Sequence, residues 1–282
     1  MTGFSSEWLA LREPADHAAR DPGLVAALAR MLAGRAEVTV VDLGCGTGSN
    51  LRGLAPHLGP RQSWRLVDHD RALLAAARNA LLDWADHGDT AGETLVLTKD
   101  EKHIEVAFVA IDLSAGLSAA IDSAAPDLVT AAALFDLVSK AWLEGFARSV
   151  AAAGSAFYTA LSYDGTENWE PPHPADSAIH AAFLAHQGSD KGFGAAIGPA
   201  ATAELADSFR QHGYTVATAS SPWRLKPEHG DLIRQLKDGK AAAATETGLM
   251  EPGQIGDWSA ARSRAGTTVM VGHADILAVP PR

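Results

Sequence analysis

Apolar positions along the chain fall into two alternating patterns. Runs dense in aliphatic and β-branched residues recur at 38–41, 64–67, 106–111, 127–135, 155–162, 214–219 and 267–279. The first, Val38-Thr39-Val40-Val41, predicts a strand covered on both faces, because a strand with one wet face would alternate apolar and polar residues. Between the runs lie segments of helical character. Leu24, Val25, Leu28, Met31 and Leu32 make one face at helical spacing, and Pro22 after Asp21 marks that helix's start. Further helices are expected at 71–87, 140–153 and 200–212, the last stopped by Gly213. Residues 95–98 and 103–111, joined through Lys99-Asp100-Glu101-Lys102, predict an extra hairpin leading into the third main strand. Strands and helices in alternation predict an α/β fold with a doubly wound, mostly parallel sheet. Residues 1–35, with an apolar patch at Trp8, Leu9 and Leu11, are expected to form a helical cap on a domain spanning 36–282. Insertions at about 163–199 and 222–265 fit neither pattern, and Trp223 and Trp258 are the expected packing anchors of the second.

The chemistry concentrates where the first strand ends. Asp42-Leu43-Gly44-Cys45-Gly46-Thr47-Gly48-Ser49-Asn50 places an acid before three glycines at alternate positions, then opens a helix. Glycine lets the backbone turn sharply and lets a ligand approach where a Cβ would collide. The helix that follows directs free N–H groups at an electron-rich partner. A dinucleotide fingerprint would space its glycines G-x-G-x-x-G, and a phosphate-binding P-loop would end in Gly-Lys-Ser/Thr, and neither pattern is present. Asp68 closes the second strand, 20 residues after Gly48, where a carboxylate is placed to accept both hydroxyls of a ribose. Asp112 follows the third run and Asp136 the fourth. Acids at four successive strand ends repel a polyphosphate and suit a ligand that carries positive charge.

On these residues the chain resembles the class I S-adenosylmethionine-dependent methyltransferases. The resemblance is close over 36–163 and looser, in the order of elements, to about 280. It implies a seven-stranded Rossmann-like sheet, S-adenosyl-L-methionine as cofactor and methyl transfer as the reaction. It further implies that Asp42, Gly44, Cys45, Gly46, Gly48 and Asn50 cradle the cofactor. By the same resemblance Asp68 and His69 lie at its ribose, Asp112 and Leu113 beside its adenine, and Ala131 under its methionine end. Arg12, Asp16 and Arg20 recur at i, i+4, i+8, one helical face if Pro14 permits continuity. Either the cap folds over the cofactor with Arg12 on the methionine carboxylate, or these three form a solvated ion-pair face.

Composition narrows the partner. A net charge of −11 and the lack of clustered Lys and Arg argue against nucleic acid, so a small-molecule acceptor is expected. Hydrophobic residues at 47% and charged ones at 20% describe a globular chain, without an apolar run long enough to cross a membrane. The first residues, Met1 to Glu7, lack a basic stretch followed by an apolar core, and the single cysteine, Cys45, excludes an internal disulfide. Together these place the protein in the cytoplasm, and oligomeric state stays open. Methyl transfer needs a base only if the acceptor must lose a proton, for which His186, Tyr163 and Asp136 are the candidates. Asp136 reads equally as a helix N-cap. The first insertion concentrates Tyr163, Trp169, His186, Lys191 and Phe193 with Gly188, Gly192 and Gly194, and is expected to act as a mobile lid. His173, His180 and His186 lack a convincing metal spacing, so no metal is expected. A non-catalytic cofactor-binding or scaffold protein of the same fold is the alternative function.

Overall fold

The computed structural model describes residues 4–121 and 125–281, so Met1–Gly3 of the cap lie outside the described residues. One sheet organises the chain. Its parallel centre is β5 (Lys102–Ala110), β2 (Arg61–Asp68), β1 (Val38–Leu43), β6 (Leu128–Ala132) and β7 (Ala156–Glu170), in that spatial order. Antiparallel β10 (Thr268–Val279) lies beside β7, and β8 (Thr215–Ser220) beside β10. These seven strands are the expected set, and the order reverses between β1 and β6. In open α/β sheets that reversal opens a crevice at the strands' C-terminal ends.

Ten strands are present among the described residues rather than seven. Two of the extra three, β3 (His87–Ala91) and β4 (Thr94–Lys99), extend the β5 edge as antiparallel ribbons. The β4–β5 hairpin matches the sequence reading. Its two turn residues, Asp100 and Glu101, have φ of 47° and 63°, the left-handed pair that a tight two-residue hairpin turn needs. The third extra strand, β9 (Trp223–Leu225), pairs with the start of β10.

Alternation within strands splits the core. Val38 and Val40 face one layer with Trp64, Leu66 and Leu128, while Val41 and Leu43 face the other with Val67, Val129 and Phe157. The first layer is covered by α1 (Ser6–Ala19), α2 (Pro22–Leu32), α3 (Ser49–Leu54) and α4 (Arg71–Trp84). The second is covered by α5 (Leu113–Ile121), α6 (Lys140–Ala153) and α8 (Ala201–Gln211), with Phe135, Phe146, Phe157 and Phe209 in mutual ring contact. Asp21 caps α2 by accepting from Leu24 N–H, and Leu24, Val25, Leu28 and Leu32 are its buried face. The α1 helix runs through Pro14 unbroken.

The first insertion differs from its sequence reading. Residues 163–170 are not loop, because β7 continues for 15 residues and its second half pairs with β10 alone. Gly272 makes this close pairing possible, since a Cβ there would lie 1.9 Å from Thr166 Oγ1, and a bulge falls at this point of β10. The two insertions, far apart in sequence, pack into one lobe. There α7 (Asp176–Gln187) lies against α9 (Gly230–Thr247), which lies against α10 (Pro252–Arg262). Asp176 accepts from Trp258 Nε1 at 2.8 Å and from Arg262, and buried Lys240 pairs with buried Glu167. Trp258 meets Trp169 edge-on at 5.5 Å, so it anchors the lobe as expected, and Trp223 is also buried. The three histidines of this region are spent separately. His173 accepts from Ala175 N–H, His180 bonds Gly165 O and His186 pairs with Glu246. Among the described residues no helix is long and apolar enough to cross a membrane.

Candidate active site

The loop after β1 sits at the strand-order reversal. Gly44, Gly46 and Gly48 have φ of 62°, 53° and 76°, a run of left-handed conformations that side chains resist. Asp68, at the end of β2, fixes this loop: Oδ2 accepts Gly46 N–H at 2.9 Å and Oδ1 accepts Asp70 N–H at 3.0 Å. Each oxygen keeps a second lone pair for a ligand hydroxyl. Asp42 is fully buried beneath the loop. Asn50 donates from Nδ2 to Asp42 Oδ1 at 2.8 Å and to Thr130 at 3.0 Å, while Asp42 Oδ2 and Asn50 Oδ1 have no partner. Burial dominates over the Asn50 bond and the nearby Arg20 charge, and pushes the Asp42 carboxyl up to about 7. Cys45 is buried, with its backbone N–H on Val67 O, and burial among Asp42 and Asp68 pushes its thiol well up, which leaves it unreactive.

The remaining residues assigned to the cofactor by resemblance lie around the same rim, with less structural commitment. His69 is exposed, with Nδ1 3.4 Å from Asp68. Asp112 is exposed and accepts Ser114 N–H at the start of α5, which holds its carboxyl below the usual range. Leu113 is buried and its carbonyl takes Trp142 Nε1, and Ala131 is buried within β6.

Helix α1 closes this end. Leu9 lies over the glycine loop, where a Cβ on Gly46 would come within 3.0 Å of it. His17 reaches Ser49 O at 3.0 Å, and Arg52 pairs with Glu13, which ties α1 to α3. Arg12 does not point freely toward a carboxylate ligand. Its Nε and Nη2 bond both oxygens of Asp16 at 2.8 and 3.2 Å, and it stacks over Trp223 at 5.0 Å. Nor is the alternative of a solvated face correct, since Arg12 and Asp16 side chains are each only 11% exposed.

A second group of polar side chains adjoins the loop through Leu134, whose side chain would lie 3.5 Å from a Cβ at Gly44. Asp136, in the short helical turn after β6, accepts from Gln187 Nε2 at 2.8 Å. Burial pushes its carboxyl up to about 6, opposed by nearby backbone N–H groups and the Arg12 charge. The N-cap expectation for it fails, since Ser139 caps α6 instead. Tyr163 borders the same space, and burial with Glu167, Asp164 and Asp136 nearby pushes its hydroxyl above its ordinary value. It is therefore protonated and unsuited to act as a base. His186 is not brought here. Its ring pairs with Glu246 on α9 at 3.0 Å, and the adjacent Gln187, 100° further round the helix, turns inward in its place. His273 on β10 packs against Tyr163 and Trp223, and burial with the Arg12 charge pushes it down to about 3, so it is neutral. Gln187 and His273 carry no local signal in the sequence, since each enters only through how α7 and β10 dock.

No family model and no curated protein matches the sequence. Solved structures do. A cyclopropane-fatty-acyl-phospholipid synthase-like protein of Lactobacillus casei superposes with a TM-score of 0.54 at 18% identity, over 97% of this chain and 94% of its own. A protein of Bacillus halodurans described as a candidate methyltransferase gives a TM-score of 0.50 at 11% identity, over 91% and 99%. This is the class I methyltransferase fold. A methyltransferase of Geobacter sulfurreducens, solved with S-adenosylhomocysteine, is also similar at 15% identity and a TM-score of 0.47, over the whole of both chains. The seven main strands of the methyltransferase sheet are thus β1, β2, β5, β6, β7, β8 and β10, and the glycine loop stands at its strand-order reversal.

Proposed function

We propose that this chain is an S-adenosyl-L-methionine-dependent methyltransferase acting on a small-molecule acceptor in the cytoplasm. The observation that carries the reading is the loop of three left-handed glycines between Asp42 and Asp68, with acceptor atoms of Asp42 and Asn50 left unsatisfied below it. Asp68 would hold the ribose hydroxyls, the glycine backbone would line the cofactor, and Asp42 would balance its positive charge. When bound, the cofactor supplies an electrophilic methyl group. The protein then has to orient the acceptor, exclude water and receive a proton where the acceptor must lose one. Of the three base candidates only Asp136 combines a position beside the loop with a raised carboxyl and a free oxygen. The charge of −11 supports a small acceptor over nucleic acid.

Calorimetry with S-adenosylhomocysteine tests the reading. Binding is expected, with NAD and ATP silent. Asp68→Ala should weaken it by about 2–3 kcal/mol, roughly 30- to 150-fold, through loss of ribose acceptors and of the Gly46 anchor. No heat at millimolar ligand would refute the assignment, and binding without turnover of any acceptor would favour the scaffold alternative. Hydrogen exchange examines the lid. Residues 171–199 should gain protection when S-adenosylhomocysteine and acceptor bind, whereas 163–170, held in the β7–β10 ladder, should be protected throughout. Equal protection of 171–199 in both states would mark it as a rigid wall.

A further inference from the structure

Besides Asp42 and Asn50 under the glycine loop, four further buried side chains have polar atoms with no partner: Asp136 Oδ1, Gln187 Oε1, the Tyr163 hydroxyl and His273 Nδ1. Each of these residues is at most 8% exposed. Folded proteins leave few such atoms, and four in one place call for an occupant. The group is contiguous. Gln187 bonds Asp136, Tyr163 packs edge-on to His273 at 6.1 Å, and His273 lies 5.2 Å from Trp223. It is enclosed by α1, through Arg12 and Asp16, and by α7, through Gln187.

Acceptors dominate the set. The ionised Asp136 Oδ1 and the Gln187 Oε1 only accept, while the Tyr163 hydroxyl can donate or accept. His273 is neutral, and the cation nearby, Arg12, is committed to both oxygens of Asp16. Tyr163 adds an aromatic ring, whose face attracts a cation, whereas Trp223 already carries Arg12 over its ring. A carboxylate with a free oxygen, a free amide oxygen and an aromatic ring are complementary to a donor-rich positive group. An acidic acceptor would meet the Asp136 charge, and an apolar one would strand four polar atoms.

We propose that this cluster is the acceptor subsite and that it binds a small organic amine as its ammonium ion, with Asp136 as counter-ion and Gln187 and Tyr163 as hydrogen-bond partners; where the nitrogen itself is to be methylated, it must first give a proton to Asp136, which frees its lone pair. The inference rests on the methyltransferase reading above. Because these atoms are buried, α1 and α7 must part to admit the ligand.

The test uses the full chain saturated with S-adenosylhomocysteine, titrated by NMR with n-butylammonium, benzylammonium and ethanolammonium, and with 1-butanol, benzyl alcohol and butanoate as matched controls. At least one ammonium should bind about tenfold or more tighter than its alcohol, and butanoate should not bind. Asp136→Asn should weaken the ammonium about tenfold and leave the alcohol unchanged. Tyr163→Phe, which keeps the ring and the fold, should weaken it a few-fold. Preference for an alcohol or butanoate, no binding of any ammonium, or an Asp136→Asn variant that folds and binds unchanged would overturn the proposal. The preceding S-adenosylhomocysteine titration separates the two failures. Silence there removes the methyltransferase reading, whereas binding there followed by ammonium failure removes the subsite alone.

Discussion

Asp42→Asn is expected to make the ligand-free protein more stable at pH 8 and to make it bind S-adenosyl-L-methionine less well. Asp42 is fully buried and its Oδ2 has no partner, so the folded state disfavours its ionised form and its carboxyl titrates near 7 rather than near 4. Between those values the folded chain holds a proton that the unfolded chain releases. The contribution of Asp42 to stability is therefore fully present below pH 4, declines as pH rises, and is lost above pH 7. Three units correspond to about 4 kcal/mol, an upper figure once water enters the site. Asparagine keeps an oxygen for the Asn50 amide and does not ionise, so the variant should lack this slope. Asp136, raised in the same direction, leaves a smaller decline in both proteins. Urea unfolding at pH 5 and pH 8 measures the difference, and a variant less stable than wild type at pH 8 would show that Asp42 is not carried as a strained acid. In calorimetry the same variant should bind S-adenosyl-L-methionine, whose sulfonium carries the positive charge, about tenfold or more weakly, through loss of the charge that balances the ligand. A gain in stability joined to a loss in binding distinguishes a functional acid from a structural one.

Glu167→Ala is expected to destabilise the helical lobe by about 3–5 kcal/mol. Glu167 and Lys240 side chains are 3% and 2% exposed, and Glu167 also takes the Trp169 indole N–H. Burial pulls the Lys240 ammonium below its usual range, and Glu167 is the charge that opposes this. Alanine strands both donors in an apolar lobe. Lys240→Met should cost less, because the thioether fills the space over Phe183 and Glu167 retains Trp169. Thermal unfolding of both variants, with tryptophan fluorescence to follow Trp169 and Trp258, gives the comparison. Equal losses in the two would mean that the pair acts through packing rather than charge.

The parallel sheet and its glycine loop were legible because they are local. Val38 to Asn50 specifies strand, turn and helix from its own alternation and its glycines, and Asp68 follows at a distance set by one helix and one strand. The β4–β5 hairpin was legible for the same reason, with its turn flanked by alternating residues. Other features are decided by what packs against what. Nothing in 163–170 says that it will run on as a strand, since its partner is β10, about 100 residues away, and only Gly272 lets the two backbones meet there. Arg12 has the sequence context of a ligand arm, but Trp223 and Asp16 immobilise it once β9 docks on α1. His186 and Gln187 differ by one step on a helix, and the register of α7 against α9 decides which of them turns inward. By itself the sequence determined the fold class, the seven main strands and the glycine loop, because hydrophobic period and glycine geometry act over a few residues. Tertiary structure decided which side chains join Asp136 and Tyr163, because Asp136, Tyr163, Gln187 and His273 come from four different elements and meet only when long-range packing brings them together.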